Sequence, residues 1–170
     1  MNLITVQARV DAALEAILLN DRHLLEYDVS ERCLAARLSF YLQGVFPAYS
    51  VDVEYNRAGQ DPKRLQIPEQ CANATNDKGK ALVVPDIIVH RRGKDGPNAL
   101  VVEMKKTTNP DDLGCDRKRV QAMRIQLKYQ FGVLIELETR SGHEPSTRCV
   151  EWFYDQASFA AANRNPWAHP

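Results

Sequence analysis

Two amphipathic helices are predicted near the start of the chain, where apolar residues recur every three or four positions. The first covers residues 3–19 and ends at Asn20-Asp21. Ser30 is the N-cap expected for a second helix, which Pro47 stops. The two predicted apolar stripes contain Leu3, Val6, Val10, Ala13, Leu14, Ile17 and Leu18, and then Leu34, Leu38, Tyr41, Leu42 and Val45.

Five short apolar or alternating runs predict strands further along the chain. They are residues 50–55, 81–90, 99–106, 131–137 and 148–154. Residues 57–80 lack periodicity and predict a long surface loop. A helix is expected from the Asn109-Pro110 cap to about Gln126, and a weaker one over 155–163, before a tail of residues 164–170.

This order of elements predicts an α/β fold, in which helices flank a mixed central sheet. The chain has 170 residues, 44% of them hydrophobic, which suits one domain spanning 1–170. The net charge is zero, but residues 86–128 carry 10 Lys/Arg against 6 Asp/Glu. A local basic excess of this kind is what attracts a phosphate backbone.

The cysteines and the amino-terminal residues indicate the cellular compartment in which the protein is expected. Cys33, Cys71, Cys115 and Cys149 lie far apart without a Cys-x-x-Cys pair, which argues against a zinc ribbon and favours free buried thiols in a reducing cytoplasm. Asp11 and Glu15 interrupt the first apolar run, so we expect neither a signal peptide nor a membrane span. A cytoplasmic protein is the prediction.

Three charged residues stand inside the apolar runs of two neighbouring strands. Side chains two positions apart share a strand face, so Glu103 and Lys105 point the same way. If a tight turn is centred between residues 94 and 95, Asp86 lies opposite Glu103 and Ile88 lies opposite Val101, and partners across strands project from one face. A register slip of one residue would send the two acids to opposite faces. The hypothesis is therefore that Asp86, Glu103 and Lys105 converge.

Two carboxylates a few ångströms apart repel each other unless a cation lies between them, and hard oxygen ligands suit Mg²⁺. Lys105 would reach the same pocket and assist a water or a phosphate there. Glu31 continues the apolar stripe of the second helix, so its side chain has the phase to face inward. A glutamate in the first helical turn is equally explained by the helix dipole.

Pro85-Asp86, followed by Glu103-Met104-Lys105 in a second hydrophobic strand, resembles the PD-(D/E)XK nuclease superfamily, whose members have the restriction endonuclease-like fold. The resemblance covers about residues 29–137 and implies an α-β-β-β-α-β core, preceded here by an extra helix. It implies that Asp86, Glu103 and the carbonyl of Met104 bind Mg²⁺, with Mn²⁺ as a substitute. It further implies that Lys105 serves the nucleophilic water and that Glu31 matches an acid on the first core helix.

The resemblance predicts a metal-dependent nuclease, with DNA favoured over RNA as the partner. The residues expected to contact nucleic acid are Arg91, Arg92, Lys94, Arg117, Arg124 and Lys128. A solvated helix face is the alternative for the last three. A catalytically silent binding or regulatory module of the same fold is the alternative function, and a structural ion pair of Lys105 with the acids is a third. A homodimer or a partner protein stays open.

Overall fold

A mixed five-stranded sheet with helices on both faces forms the framework of the molecule. The computed structural model describes residues 1–58, 61–71, 75, 78–93, 98–111 and 113–155. In chain order the elements are α1 (Leu3–Asn20), α2 (Arg22–Glu26), α3 (Glu31–Val45), β1 (Ser50–Val53), β2 (Arg57–Ala58), β3 (Asp61–Pro62), β4 (Arg64–Leu65), a 3₁₀ turn (Glu69–Cys71), β5 (Ala81–Leu82), β6 (Ile87–His90), β7 (Asn98–Lys106), α4 (Leu113–Gln126), β8 (Tyr129–Glu138) and β9 (Ser146–Phe153).

The main sheet has the strand order β1-β6-β7-β8-β9. Strands β7 and β8 are parallel, and α4 connects them, because a parallel pair needs a crossover. The other neighbouring pairs are antiparallel. The predicted α/β class, with a mixed central sheet and flanking helices, is confirmed.

Alternation along the central strands divides the interior into two layers. Leu100, Val102 and Met104 of β7 pack with α1 and α3 in the larger core, whereas Val101 belongs to a smaller core beneath α4. Ile88 of β6 lies in that smaller core as well. Odd-numbered positions of β7 therefore face α4, which puts Glu103 and Lys105 on the α4 side of the sheet.

The ends of several predicted elements need correction. The Ser30 side chain caps α3 as expected and accepts a hydrogen bond from the Cys33 amide at 3.2 Å. Helix α4, however, begins at Leu113 and not at Pro110, because the Asn109 side chain accepts from the Asp111 amide at 3.1 Å and closes a turn ahead of the helix. The short helix α2 was not predicted.

The expected strand over residues 81–90 is divided. Residues 81–82 form β5 and residues 87–90 form β6, so Asp86 lies directly before a strand and not inside one. Pro85 has no amide hydrogen to donate to a ladder, which accounts for the interruption.

Residues 57–80 contain more structure than the predicted surface loop. Strands β2 and β3 pair with each other, and β4 pairs with β5. Leu65 is fully buried in the smaller core, and Lys63 is 4% exposed. The Lys63 ammonium donates to the Tyr55 carbonyl at 2.7 Å and to the Tyr129 hydroxyl at 3.1 Å. Local sequence carries no signal for these contacts, because the partners are distant in the chain.

The prediction that all four cysteines are free is wrong. Cys71 and Cys115 form a disulfide that ties the 3₁₀ turn to the first turn of α4, whereas Cys33 and Cys149 are free. Disulfides are typical of oxidising compartments, so the cysteines no longer support the cytoplasmic prediction. In the described part of the chain, no helix combines the length and the hydropathy that a membrane span requires. The helix expected over 155–163 and the tail over 164–170 fall, from residue 156 onward, outside the described residues.

Candidate functional site

Asp86 and Glu103 face each other across the antiparallel pair of β6 and β7. The register pairs Ile87 with Val102 and Ile88 with Val101, which is the register predicted from the turn. Asp86 is held on both sides, because its carbonyl accepts from the Glu54 amide at 3.1 Å and its carboxylate from the Met104 amide at 2.7 Å. The predicted juxtaposition of the two acids is present at the point where β6 begins and β7 nears its end.

Burial disfavours the charged forms of both acids. Removal from water raises the pKa of Asp86 to about 6, and the negative charges of Glu31 and Asp116 act in the same direction. The Met104 amide and the Arg119 guanidinium oppose this rise. Glu103 is 6% exposed, and burial, followed by the charge of Asp86, raises its pKa well above the usual value. Two such acids without a cation between them are poorly stabilised.

Among the described residues, two buried carboxylate oxygens have no hydrogen-bond donor. They are Glu103 Oε1 and Asp116 Oδ2, both on residues that are more than nine-tenths buried. Unsatisfied oxygens of this kind are rare in folded proteins and require an explanation such as an ion or a water. Both of them lie on the α4 side of the sheet, in the site that contains Lys105.

Lys105 is held by the beginning of α4. Its side chain is 9% exposed, and Nζ lies 3.3 Å from Asp116 Oδ2 and 3.8 Å from Asp111 Oδ2. The closer contact is an ion pair without hydrogen-bond geometry. The ammonium therefore shares the face of Glu103, as predicted, but its nearest acidic partners are on the helix and not on β6.

Arg119 links the helix to the strand. Its guanidinium hydrogen bonds to Asp116 Oδ1, and its Nε lies 3.7 Å from Glu103 Oε2. The contact between Arg119 and Glu103 is an ion pair, because its distance is too long for a hydrogen bond. Sequence reasoning missed both Asp116 and Arg119. A signal existed for Asp116, because it precedes Val120 by four positions and Met123 by seven and so shares the buried stripe of α4.

Glu31 reaches the same end of β7. Its Oε1 accepts from the Lys106 amide at 3.0 Å and from the Asn109 side chain at 3.3 Å. Glu31 therefore connects the start of α3 to the end of β7, and its charge acts on Asp86. The site then contains five acids, namely Asp86, Glu103, Glu31, Asp111 and Asp116, against the two cations Lys105 and Arg119. This excess of negative charge suits a divalent cation.

The basic residues predicted to contact nucleic acid are dispersed. The Arg92 guanidinium donates to both carboxylate oxygens of Asp52, which also bonds His90 at 2.7 Å. Arg91 stacks over the ring of Tyr49, at 5.6 Å from its centroid. Both arginines are at the far end of β6 from Asp86, and Lys94 lies outside the described residues.

The basic face predicted on α4 is also incomplete. Arg117 Nε donates to Glu151 at 2.8 Å on β9, and Arg124 is half-buried in the last turn. Lys128 is exposed but lies beyond the helix, with a φ of 58°. The prediction that these three residues share one helix face is therefore wrong for Lys128, because the helix ends at Gln126.

Among the described residues, no three His, Cys, Asp or Glu side chains are arranged to hold a metal ion together. Mg²⁺ does not require such a cage, since it is usually bound by one or two carboxylates together with waters and substrate oxygens. The unpartnered Glu103 Oε1 opposite Asp86 fits that smaller ligand set. No family model, curated protein or solved structure shows a significant match to this chain.

Proposed function

We propose that the protein is a metal-dependent nuclease that hydrolyses phosphodiester bonds, with DNA favoured over RNA. The observation that carries this proposal is the buried, unpartnered Glu103 Oε1 on the sheet face that Asp86 and Lys105 also line. Burial without a donor disfavours the charged carboxylate, and a cation bound to it would stabilise that charged form. The surplus of acids over cations around it supports the same conclusion.

The order of elements supports the nuclease class independently of the charges. Helix α3, strands β1, β6 and β7, helix α4 and strand β8 follow the α-β-β-β-α-β order of PD-(D/E)XK nucleases, with α1 as an addition. Asp86 stands immediately before the second of these strands, and Glu103 and Lys105 stand in the third. The order of these elements along the chain and the positions of the three residues within it both support the proposal.

Asp86 and Glu103 are the residues that would hold Mg²⁺ or Mn²⁺, with the Met104 carbonyl as a third ligand. A bound Mg²⁺ supplies a water of lowered pKa and neutralises charge on the phosphate. The chain itself positions the acids through the Met104 amide on Asp86. Lys105 supplies a positive charge beside them, and Asp116 fixes where that charge lies. Glu31 positions the end of β7 through the Lys106 amide.

A second candidate function is a catalytically silent binding or regulatory module. The observation that favours it is the engagement of two of the predicted catalytic side chains by α4, since Lys105 pairs with Asp116 and Glu103 with Arg119. An ion-pair network of this kind can serve the fold alone. It leaves Glu103 Oε1 unexplained, which is why the nuclease is preferred.

The test is cleavage of labelled double-stranded DNA, single-stranded DNA and RNA with Mg²⁺, Mn²⁺ or a chelator. Glu103→Gln and Lys105→Ala are compared with matched controls outside the site. Glu144→Gln changes an exposed acid that pairs with Arg22, and Lys106→Ala removes an ammonium that binds Asp28. Metal-dependent cleavage that only the first two variants abolish supports the nuclease. Absence of cleavage by a folded wild type that also binds no Mn²⁺ supports the silent module.

A further inference from the structure

Arg119 contacts two acids of the site, Asp116 by a hydrogen bond and Glu103 by a longer ion pair. The guanidinium hydrogen bonds to Asp116 Oδ1, whereas its Nε only approaches Glu103 Oε2 to 3.7 Å, which is beyond hydrogen-bonding distance. Asp116 is also the residue that contacts Lys105. The guanidinium is therefore anchored on its own helix and only loosely associated with the strand.

The surroundings of Arg119 leave part of the guanidinium available. Its side chain is 32% exposed, compared with 9% for Lys105 and 7% for Glu103. Arginine has five N–H donors in a planar fork, and the two acids use a minority of them. Such a fork matches the paired oxygens of a phosphate. Arg119 is thus more exposed than the two acids that it contacts, which leaves donors that a phosphate in solvent could reach.

A divalent cation at Glu103 would compete with Arg119 for the same carboxylate. Two positive groups close together repel in a poorly solvated site, and the ion pair at 3.7 Å is the weaker of the two contacts of Arg119. The contact to Asp116 does not depend on Glu103 and would keep the guanidinium near the site.

We propose that Arg119 is a substrate-phosphate contact, which balances the charge of Glu103 while the metal is absent and binds the backbone phosphate of nucleic acid when the metal takes its place. Asp116 is the positioning residue that holds the guanidinium during this exchange. The inference rests on the proposed function of the same site. It assigns the phosphate contact to Arg119, which was not among the basic residues that sequence reasoning selected.

The test separates metal binding from nucleic-acid binding, and neither measurement requires turnover. Mn²⁺ affinity is measured by isothermal titration calorimetry without nucleic acid. Affinity for short fluorescein-labelled DNA, duplex and single-stranded, is measured by fluorescence anisotropy in Ca²⁺, which carboxylate oxygens also bind. The variants are Arg119→Ala and Arg119→Gln, the second of which keeps a donor for Asp116. Arg22→Ala is the control, since it removes the same charge from a residue of α2 that pairs with Glu26 and Glu144.

Both Arg119 variants are expected to weaken DNA binding about tenfold, the loss of one charge-assisted hydrogen bond. Their Mn²⁺ affinity is expected to stay the same or to rise, because a competing positive charge has gone. Arg22→Ala should change neither measurement more than about twofold, as for an exposed pair. Weaker Mn²⁺ binding by both Arg119 variants, or DNA binding equal to wild type, would overturn the inference.

The same experiment also tests the proposed function separately. That function requires wild type to bind Mn²⁺ and requires Glu103→Gln to abolish this binding. If wild type binds Mn²⁺ through Glu103 but the Arg119 variants bind DNA normally, only the role of Arg119 is lost. If wild type binds neither Mn²⁺ nor DNA, both proposals are overturned together.

Discussion

Asp116 Oδ2 on α4 lies 3.3 Å from Lys105 Nζ on β7, so that one buried ion pair joins the helix to the strand of the candidate site. The same carboxylate bonds Arg119 through its other oxygen. Asp116 thus determines the position of both cations near Glu103. Together with Glu31 at the start of α3, the site is built by four elements, the others being the start of β6, the end of β7 and the first turns of α4.

Asp116→Asn should lower cleavage about tenfold, because a neutral amide no longer holds the two charged side chains and each charge-assisted hydrogen bond contributes about 1.5–3 kcal/mol. The measurement is kcat and KM on the substrate that wild type cleaves. Asp111→Asn is the control, since Asp111 is 79% exposed and lies 3.8 Å from Lys105. Equal effects of the two substitutions would contradict the special role of Asp116.

Glu103→Gln should stabilise the metal-free protein by about 1 kcal/mol at neutral pH, because burial of this carboxyl without a donor is unfavourable and the amide carries no charge. In excess Mg²⁺, wild type should instead be more stable than Glu103→Gln. A ligand at a hundredfold its Kd stabilises the native state by about 2.7 kcal/mol, and only wild type would gain this. Thermal denaturation with Mg²⁺ and with chelator checks both statements. A variant less stable than wild type in chelator would show that the Glu103 carboxylate is satisfied without metal.

Lys63 should make stability rise with pH in the alkaline range. Burial lowers its pKa from 10.5 to about 8 in the folded protein. Between these two values the unfolded chain binds more protons than the folded one, so the free energy of unfolding increases from pH 8 towards pH 10. The Cys149 thiol, whose pKa burial raises to about 12, acts in the opposite direction above pH 9.

The contribution of Lys63 is isolated by comparison with Lys63→Met, which removes its titration and leaves Cys149 in place. Urea denaturation at pH 8 and pH 10 should show wild type gaining about 2 kcal/mol relative to the variant, since one pKa unit corresponds to about 1.4 kcal/mol and the difference in bound protons persists over most of this range. A pH dependence that is the same in both proteins would place the Lys63 ammonium in contact with water.

The Cys71–Cys115 disulfide can be tested by counting the cysteines that react with an alkylating reagent. Alkylation of the denatured protein should modify Cys33 and Cys149 alone, and prior reduction should make all four cysteines react. Mass spectrometry reads the number of adducts directly. Four adducts without reductant would show that the bridge does not form.

Loss of the bridge should also be visible in stability. The bond closes a loop with a sequence separation of 44, and such cross-links stabilise by about 2–4 kcal/mol. Cys115→Ser should therefore lower the free energy of unfolding by that amount, measured in denaturant without reductant. Cys33→Ser, at an exposed free cysteine, should leave it nearly unchanged. An equal effect in the two variants would mean that the cross-link contributes nothing beyond side-chain loss.

The register that brings Asp86 opposite Glu103 could be predicted because it depends on local information alone. Strand alternation and one short turn determine which side chains share a face, and the apolar runs restrict the register. The capping of α3 by Ser30 was predictable for the same reason.

The remainder of the site was not accessible from local sequence. Lys105 was expected beside Asp86 and Glu103, yet its nearest acids are Asp111 and Asp116, because the crossover from β7 to β8 brings the first turn of α4 over this face. The basic residues near the motif were expected to converge on it, but Arg92 and Arg117 are occupied by acids from other strands. Charge counted along the chain does not reveal such pairs.

The sequence by itself determined the α/β class, the main strands and the face on which the charged residues of β7 lie, since each follows from periodicity over a few residues. Only the tertiary structure decided the roles of Asp116 and Arg119, the Cys71–Cys115 bridge and the burial of Lys63. The physical reason is that helix phase, crossover geometry and the packing of β4 and the 3₁₀ turn on α4 are set by contacts between segments far apart in the chain. A one-dimensional pattern does not contain those contacts.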